Sequence, residues 1–222
     1  MTTARQVREL VAPLLARHPE LRLIDTRAMA IVPIRHLLHL ITIDRTGEAA
    51  RCRPLWGVSS LMDDLAFLPV GFGERIFRRG PTGLWQWADP ALSDALIRGV
   101  EEQALPRLGA IAGLREYCSM HFPSDLPRRR FPGGYVAYLL VLGELDEARS
   151  FLSSYGPAEA YWAPRLDELG VRDALMKDGN RLAAAHRGKI ADFFHAVEAR
   201  SVERLKLGAF WEPTPFPIEH LA

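Results

Sequence analysis

Strand-like segments fall in the first 90 residues of this 222-residue chain, and helix-like segments follow them. The clearest strand covers residues 49–58, where apolar and basic side chains alternate with a period of two. The apolar face holds Ala50, Cys52, Trp56 and Val58, and the basic face holds Arg51 and Arg53. This alternation predicts a half-buried antiparallel strand. Strands gathered first and helices gathered later predict an α+β fold.

The N-terminal segment carries a local signal for a helix. Thr3 and Gln6 have the spacing of a capping box, in which each side chain bonds to the backbone of the other residue. Apolar residues then recur at helical spacing, so we predict a helix over residues 4–17.

Four further strands are predicted before residue 90. They cover residues 21–32, 34–43, 76–79 and 84–87. The turn Asp44–Gly47 joins the second of these to the 49–58 strand, so residues 34–58 are predicted to form a hairpin. The turn Gly80–Gly83 predicts a second hairpin in the same antiparallel sheet.

Helical patterns dominate from Pro90 onward. Asp89 is a suitable cap, and Pro90 is a suitable first residue of a helix. The apolar face of that helix comprises Leu92, Leu96, Val100 and Ala104. Pro106 predicts an end or a kink, and the break-rich segment 123–134 predicts a linker. Later helices are predicted over residues 135–142, 145–155, 158–169, 172–178 and 181–205.

These elements suggest a division of the chain. Residues 1–122 are predicted to form an α+β domain that contains the sheet, and residues 134–207 a helical subdomain packed on it. Residues 208–222 form a proline-rich tail that we expect to be extended. A single domain is the alternative, since 222 residues are compatible with either organisation.

Composition limits the classes of partner. The formal net charge is +1, whereas a generic nucleic-acid-binding domain is more basic, so we do not expect nucleic acid as a ligand. The longest apolar run, Tyr135–Leu142, is too short to cross a membrane. Cys52 and Cys118 do not form a disulfide framework, and no signal-peptide pattern is present, so we expect a cytoplasmic protein. No motif implies a cofactor or a metal.

Three pairs of side chains are candidates for catalysis or metal binding. They are His36 and His39, Asp63 and Asp64, and Cys118 and His121. Residues three apart on a strand face opposite ways, so the histidines are more typical of structural residues than of a metal site. The apolar neighbours Leu114 and Tyr117 favour inert packing of the thiol. Adjacent aspartates seldom converge on one ligand, which favours a solvated turn.

Two resemblances add to these patterns. Leu142–Ala148 resembles the turn of a tetratricopeptide-type helix pair, in which glycine makes the tight turn and Ala148 allows close approach. Residues 104–114, with Leu105-Pro106 followed by Ile111 and Leu114, resemble a helix end in uncharacterised bacterial α+β domain families. Arg107 departs from the large aromatic residue of that pattern. The resemblance spans residues 1–155 and implies an α+β fold without enzymatic activity and no site residues. Those families have no assigned activity, and some members are suspected to neutralise toxins.

Two functions remain open. The first is a non-enzymatic, immunity- or adaptor-like protein that binds another protein, with a homodimer as a further possibility. Its contact candidates are Arg78, Arg79, Trp85 and Trp87, because tryptophan and arginine dominate interface energetics. The same tryptophans could instead face the core. The second function is a hydrolase-type enzyme whose site assembles only in three dimensions from the three side-chain pairs named above.

Overall fold

A computed structural model describes residues 3–68, 72–79 and 83–221. It confirms the α+β class: an N-terminal helix precedes an antiparallel sheet, and the C-terminal half is helical. The first helix, α1, spans Ala4–Arg17, as the capping box predicts. The Thr3 side chain accepts a hydrogen bond from the Gln6 backbone, and the Gln6 side chain accepts one from the Thr3 backbone.

The described residues form a five-stranded sheet in which consecutive strands pair antiparallel, in the order β1-β2-β3-β4-β5. The strands are β1 Leu21–Asp25, β2 Ala28–Ile31, β3 Leu37–Arg45, β4 Cys52–Ser60 and β5 Phe72–Arg75. The prediction of one strand over residues 21–32 is therefore wrong. The polar residues Thr26 and Arg27 turn the chain, and Asp25 pairs with Ala28 across that turn.

The hairpin of β3 and β4 is confirmed, with Ile41 opposite Trp56. Pairing continues to Arg45 and Cys52, so the connection covers residues 46–51 and lies later than the predicted turn. Cys52, Trp56 and Val58 are buried as expected, whereas Ala50 is exposed before the strand begins. From Trp56 to Ser60 every residue is buried, so this end of β4 is covered on both faces.

The predicted second hairpin does not form. Residues 76–79 and 84–85 are not in strands, and Gln86 makes only an isolated bridge to Arg51. Residues 80–82 of the predicted turn lie outside the described part of the chain. The fifth strand is instead Phe72–Arg75, where a Cβ on Gly73 would overlap the Trp56 carbonyl oxygen. Only glycine allows β5 to lie this close to β4.

A nearly continuous helix follows the sheet. It comprises α2 Leu92–Gly99, a π-helical turn Val100–Ala104 and α3 Leu105–Gly109. The predicted face is buried, but the helix begins at Leu92, two residues after the expected start at Pro90. An Asp89 carboxylate oxygen accepts a hydrogen bond from the Ala91 N–H. The helical path does not end at Pro106. Pro106 has no backbone N–H to donate, and the π-helical turn that precedes it changes the backbone hydrogen-bonding pattern at this point.

The C-terminal half is more helical than predicted. Its helices are α4 Leu114–His121, α5 Asp125–Arg130, α6 Pro132–Leu142, α7 Leu145–Ser154, α8 Gly156–Glu168, α9 Arg172–Asp178 and α10 Ala184–Leu205. The segment predicted as a linker thus contains α5 and the start of α6, because proline is well tolerated at the first position of a helix. The helical hairpin of α6 and α7 is confirmed, and Gly143 between them adopts left-handed backbone with φ of 77°.

The chain divides into two compact units. Unit 1 comprises Met1–Leu61, Leu65–Ala112 and Val202–Glu212, and unit 2 comprises Met62–Asp64, Gly113–Ser201 and Pro213–Ala222. A core cluster of unit 1 includes Ala30, Leu38, Leu40, Leu61, Val202 and Leu207. In unit 2, the C-terminal segment is anchored by the fully buried residues Phe216 and Ile218 and contains a short 3-10 helix, Pro217–His220.

Candidate protein-binding surface

The predicted catalytic residues belong to both units. His36 and His39 are in unit 1, and the aspartates, Cys118 and His121 are in unit 2. His39 lies on β3, and its Nε2 is 2.8 Å from the Ile111 carbonyl oxygen. Burial lowers the pKa of His39, so the ring is neutral near pH 7 and donates its Nε2–H to that carbonyl. His39 therefore connects β3 to the segment that follows α3.

The thiol and imidazole on α4 do not form a nucleophile–base pair. Burial raises the pKa of Cys118 to about 11, so the thiol is protonated at neutral pH. His121 stacks on the Tyr117 ring, with the ring centroids 5.4 Å apart, and burial lowers its pKa. Within the described residues, no hydrogen bond joins Cys118 to His121. This geometry is typical of packing and does not activate the sulfur.

Asp63 and Asp64, the adjacent pair singled out in the sequence, each contact a side chain of unit 2. A carboxylate oxygen of Asp64 is 3.7 Å from the Arg200 Nε, and Asp63 accepts a hydrogen bond of 3.4 Å from the Tyr138 hydroxyl. No group of three His, Cys, Asp or Glu side chains within the described part of the chain is placed to hold a metal ion.

The predicted interface residues separate into core and surface. Trp85 is only 6% exposed, and its Nε1 donates a hydrogen bond of 3.0 Å to the Ile76 carbonyl. The Arg78 guanidinium lies over the Trp85 ring and forms an ion pair with Asp89. Trp87 is half-buried. Arg78 and Trp85 thus form a structural contact, and Arg79, 84% exposed at its side chain, is the candidate that faces solvent.

The exposed aromatic residue of this region is Phe77. Its side chain is 67% exposed, although Ile76 beside it is buried. The two residues follow β5 directly, and one side chain is buried while the next is exposed. Sequence reasoning chose the tryptophans and missed Phe77, although the adjacent apolar pair Ile76-Phe77 already implied that one of the two faces outward.

The Gln103 side chain fixes the backbone of Phe77. The Phe77 N–H donates to Gln103 Oε1 at 2.8 Å, and Gln103 Nε2 donates to the Phe77 carbonyl at 2.7 Å. The amide thus makes the two hydrogen bonds that a neighbouring strand would make. Gln103 lies in the π-helical turn, so a helical element of the same unit positions the segment.

Charged side chains surround the exposed ring. Arg79, Arg98 and Glu102 line the same shallow cleft as Phe77 and Gln103, and we call these five residues the Phe77 surface. The Nη2 atom of Arg79 lies 3.3 Å from Oε2 of Glu102. Arg98 is exposed and has no carboxylate partner among the residues that the structure describes. The surface therefore combines one exposed aromatic ring, on backbone that is hydrogen-bonded to Gln103, with a net positive charge.

No family model, curated protein or solved structure matches this chain. Over the residues that are described, no helix has the length and apolar character to cross a lipid bilayer. The resemblance to bacterial α+β domain families therefore stays a prediction.

Proposed function

We propose that this protein acts by binding another protein, in an immunity- or adaptor-like role, and that the Phe77 surface is the contact. The supporting observation is the pair of hydrogen bonds by which Gln103 holds an exposed phenylalanine. Bacterial origin and a cytoplasmic location belong to the same proposal. Two free, buried cysteines are compatible with a reducing compartment.

The energetics of interfaces support this assignment. Binding requires the ordering of side chains and loops, so an aromatic residue on fixed backbone loses less entropy than one on a mobile loop. Arginine and aromatic residues also contribute most of the binding energy at protein interfaces. Phe77 supplies the apolar anchor, and Arg98 supplies a donor without a carboxylate partner in the described structure. A partner with an apolar recess beside a carboxylate would complement both.

The enzyme alternative receives less support. Its strongest pair, Cys118 and His121, has a protonated thiol and no mutual hydrogen bond in the described structure. His39 already uses its Nε2 in a structural hydrogen bond. Neither observation indicates a reaction, whereas the Phe77 surface combines the aromatic and arginine side chains that are typical of protein interfaces.

Site-specific photo-crosslinking tests the proposal. A benzophenone amino acid replaces Phe77 in cells that produce the protein natively, and Phe67, which is 72% exposed, serves as the matched control position. We expect one discrete crosslinked species from position 77 and none from position 67. The partner is then purified, and its dissociation constant should rise at least tenfold for Phe77→Ala and remain unchanged for Phe67→Ala.

Other results would change or remove the proposal. A crosslink to a second copy of the chain would identify a homodimer as the binding event. Equal crosslinking from both positions, or a partner whose affinity is unaffected by Phe77→Ala, would show that this surface is not the contact.

A further inference from the structure

A second surface, formed by residues other than those of the Phe77 surface, carries arginines placed over aromatic rings. It lies in unit 2, where α5 ends and α6 begins. The cation–π pairs are Arg129 over Tyr155 at 5.3 Å, Arg130 over Phe131 at 5.4 Å and Arg165 over Tyr161 at 4.1 Å, measured from guanidinium carbon to ring centroid. We call these six residues the arginine–aromatic surface.

Contacts between the elements bring these pairs together. The Tyr155 hydroxyl donates a hydrogen bond of 3.0 Å to the Arg129 carbonyl, which ties the end of α7 to α5. The Tyr161 ring lies against Gly133, where an added Cβ would be 2.7 Å from a ring carbon. Arg165 also donates to the Tyr161 carbonyl at 2.6 Å. The three pairs thus follow the junction of α5 and α6 along residues 129–133.

The guanidinium groups of this surface are not neutralised. Arg129, Arg130 and Arg165 have no carboxylate partner among the residues that the structure describes. By contrast, the neighbouring Arg128 lies 3.9 Å from carboxylate oxygens of both Asp125 and Glu147. Two apolar side chains of the same segment, Leu126 and Phe131, are exposed as well, and so is Tyr161 on α8.

We propose that the arginine–aromatic surface binds an acidic segment of a partner protein that also carries aromatic or aliphatic side chains. The cation–π contact restricts each guanidinium, so its forked donors can bind a carboxylate with a smaller loss of entropy. The exposed Leu126 and Phe131 side chains would contact apolar side chains of the partner. A ligand that carried only negative charge would make no such contact. This inference does not depend on the Phe77 surface.

Nucleic acid fits the surface less well. Single-stranded nucleic acid stacks its bases on aromatic faces, and here each of the three rings already has an arginine over it. Binding of the phosphate backbone also depends on strong positive charge. Unit 2 contains 12 Lys and Arg against 15 Asp and Glu, so its overall charge does not attract a polyanion. The positive charge is local and suits a short acidic segment.

Fluorescence anisotropy with the full-length protein tests the proposal. The probes are a labelled random copolymer of glutamate and tyrosine, polyglutamate of equal length, and a single-stranded oligothymidylate. We expect the copolymer to bind at least tenfold more tightly than either other probe, with an affinity that decreases as salt increases. Arg129→Glu with Arg130→Glu should weaken copolymer binding at least tenfold.

Matched variants separate this surface from general charge and from misfolding. Arg5→Glu with Arg8→Glu makes the same change of charge on the exposed face of α1 and should leave copolymer binding unchanged. Arg129→Gln with Arg130→Gln keeps a polar side chain at each position and should also lose binding while retaining the wild-type melting temperature. Tighter binding of oligothymidylate, equal binding of polyglutamate, or equal losses in the α1 control would each overturn the proposal.

Discussion

The Gln103 side chain bonds to both backbone polar groups of Phe77, which lies 26 residues earlier in the chain. The side-chain amide of Gln103 thus makes the two hydrogen bonds that a neighbouring strand would make, at a point where the sheet has ended. The contact satisfies the backbone of Phe77 without a strand partner. It also holds that backbone at the point where an apolar ring is exposed to solvent.

Replacing Gln103 should free this segment. We expect Gln103→Ala to lower the free energy of unfolding by about 1 kcal/mol, because water replaces part of the lost hydrogen bonding. Hydrogen exchange at the Phe77 amide should accelerate strongly. Gln103→Glu retains an acceptor for that amide and should preserve most of its protection, so equal exchange in both variants would contradict the role assigned to Gln103.

Trp85 and Phe77 should respond differently to truncation. Trp85→Ala removes a buried ring and a hydrogen bond to Ile76, so we expect a loss of about 3–5 kcal/mol in urea denaturation. Phe77→Ala should change stability by less than about 0.5 kcal/mol because the ring faces solvent. Similar losses for the two variants would show that one of these side chains has been assigned to the wrong environment.

Gly73 should not tolerate a side chain. An added Cβ would overlap the Trp56 carbonyl oxygen and lie 2.5 Å from the Gly57 Cα, both of which are backbone atoms. We expect Gly73→Ala to cost about 2 kcal/mol and to weaken the pairing of β4 with β5, as measured by amide exchange. Gly109→Ala is the control, since open space surrounds that position, and its stability should stay the same or rise by up to about 1 kcal/mol.

The two buried thiols should make stability depend on alkaline pH. Burial raises the pKa of Cys52 and of Cys118 to about 11, from an ordinary value of about 9. Between these values the unfolded chain loses thiol protons that the folded chain keeps, so stability is full below pH 9 and falls towards pH 11. The Cys52→Ala, Cys118→Ala double variant should show a shallower decrease over that range. Rapid alkylation of the native protein at pH 7 would contradict the raised pKa values.

Short-range patterns by themselves determined several elements. The start of α1 follows from Thr3 and its capping partner Gln6, whose contacts span three residues. The buried face of β4 follows from the alternation of Cys52, Trp56 and Val58 with basic residues, because a strand has a period of two. The hairpin of α6 and α7 follows from Gly143, which adopts the left-handed conformation at little cost. In each case the decisive interactions join residues that are close together in the chain, so sequence patterns predict them.

Tertiary contacts decided the rest. Period-two alternation placed Trp85 on a strand but could not say whether its ring meets the core or solvent. That depends on Ile76 and Gly99, whose packing against Trp85 appears only after the chain folds back. The exposure of Phe77 depends in the same way on Gln103. The arginine–aromatic surface needs Tyr155 and Tyr161 to reach the end of α5 from other helices. The sequence alone determined which side chains could be buried or could form hydrogen bonds. The long-range packing of helices and strands decided which of those side chains remain available to a partner.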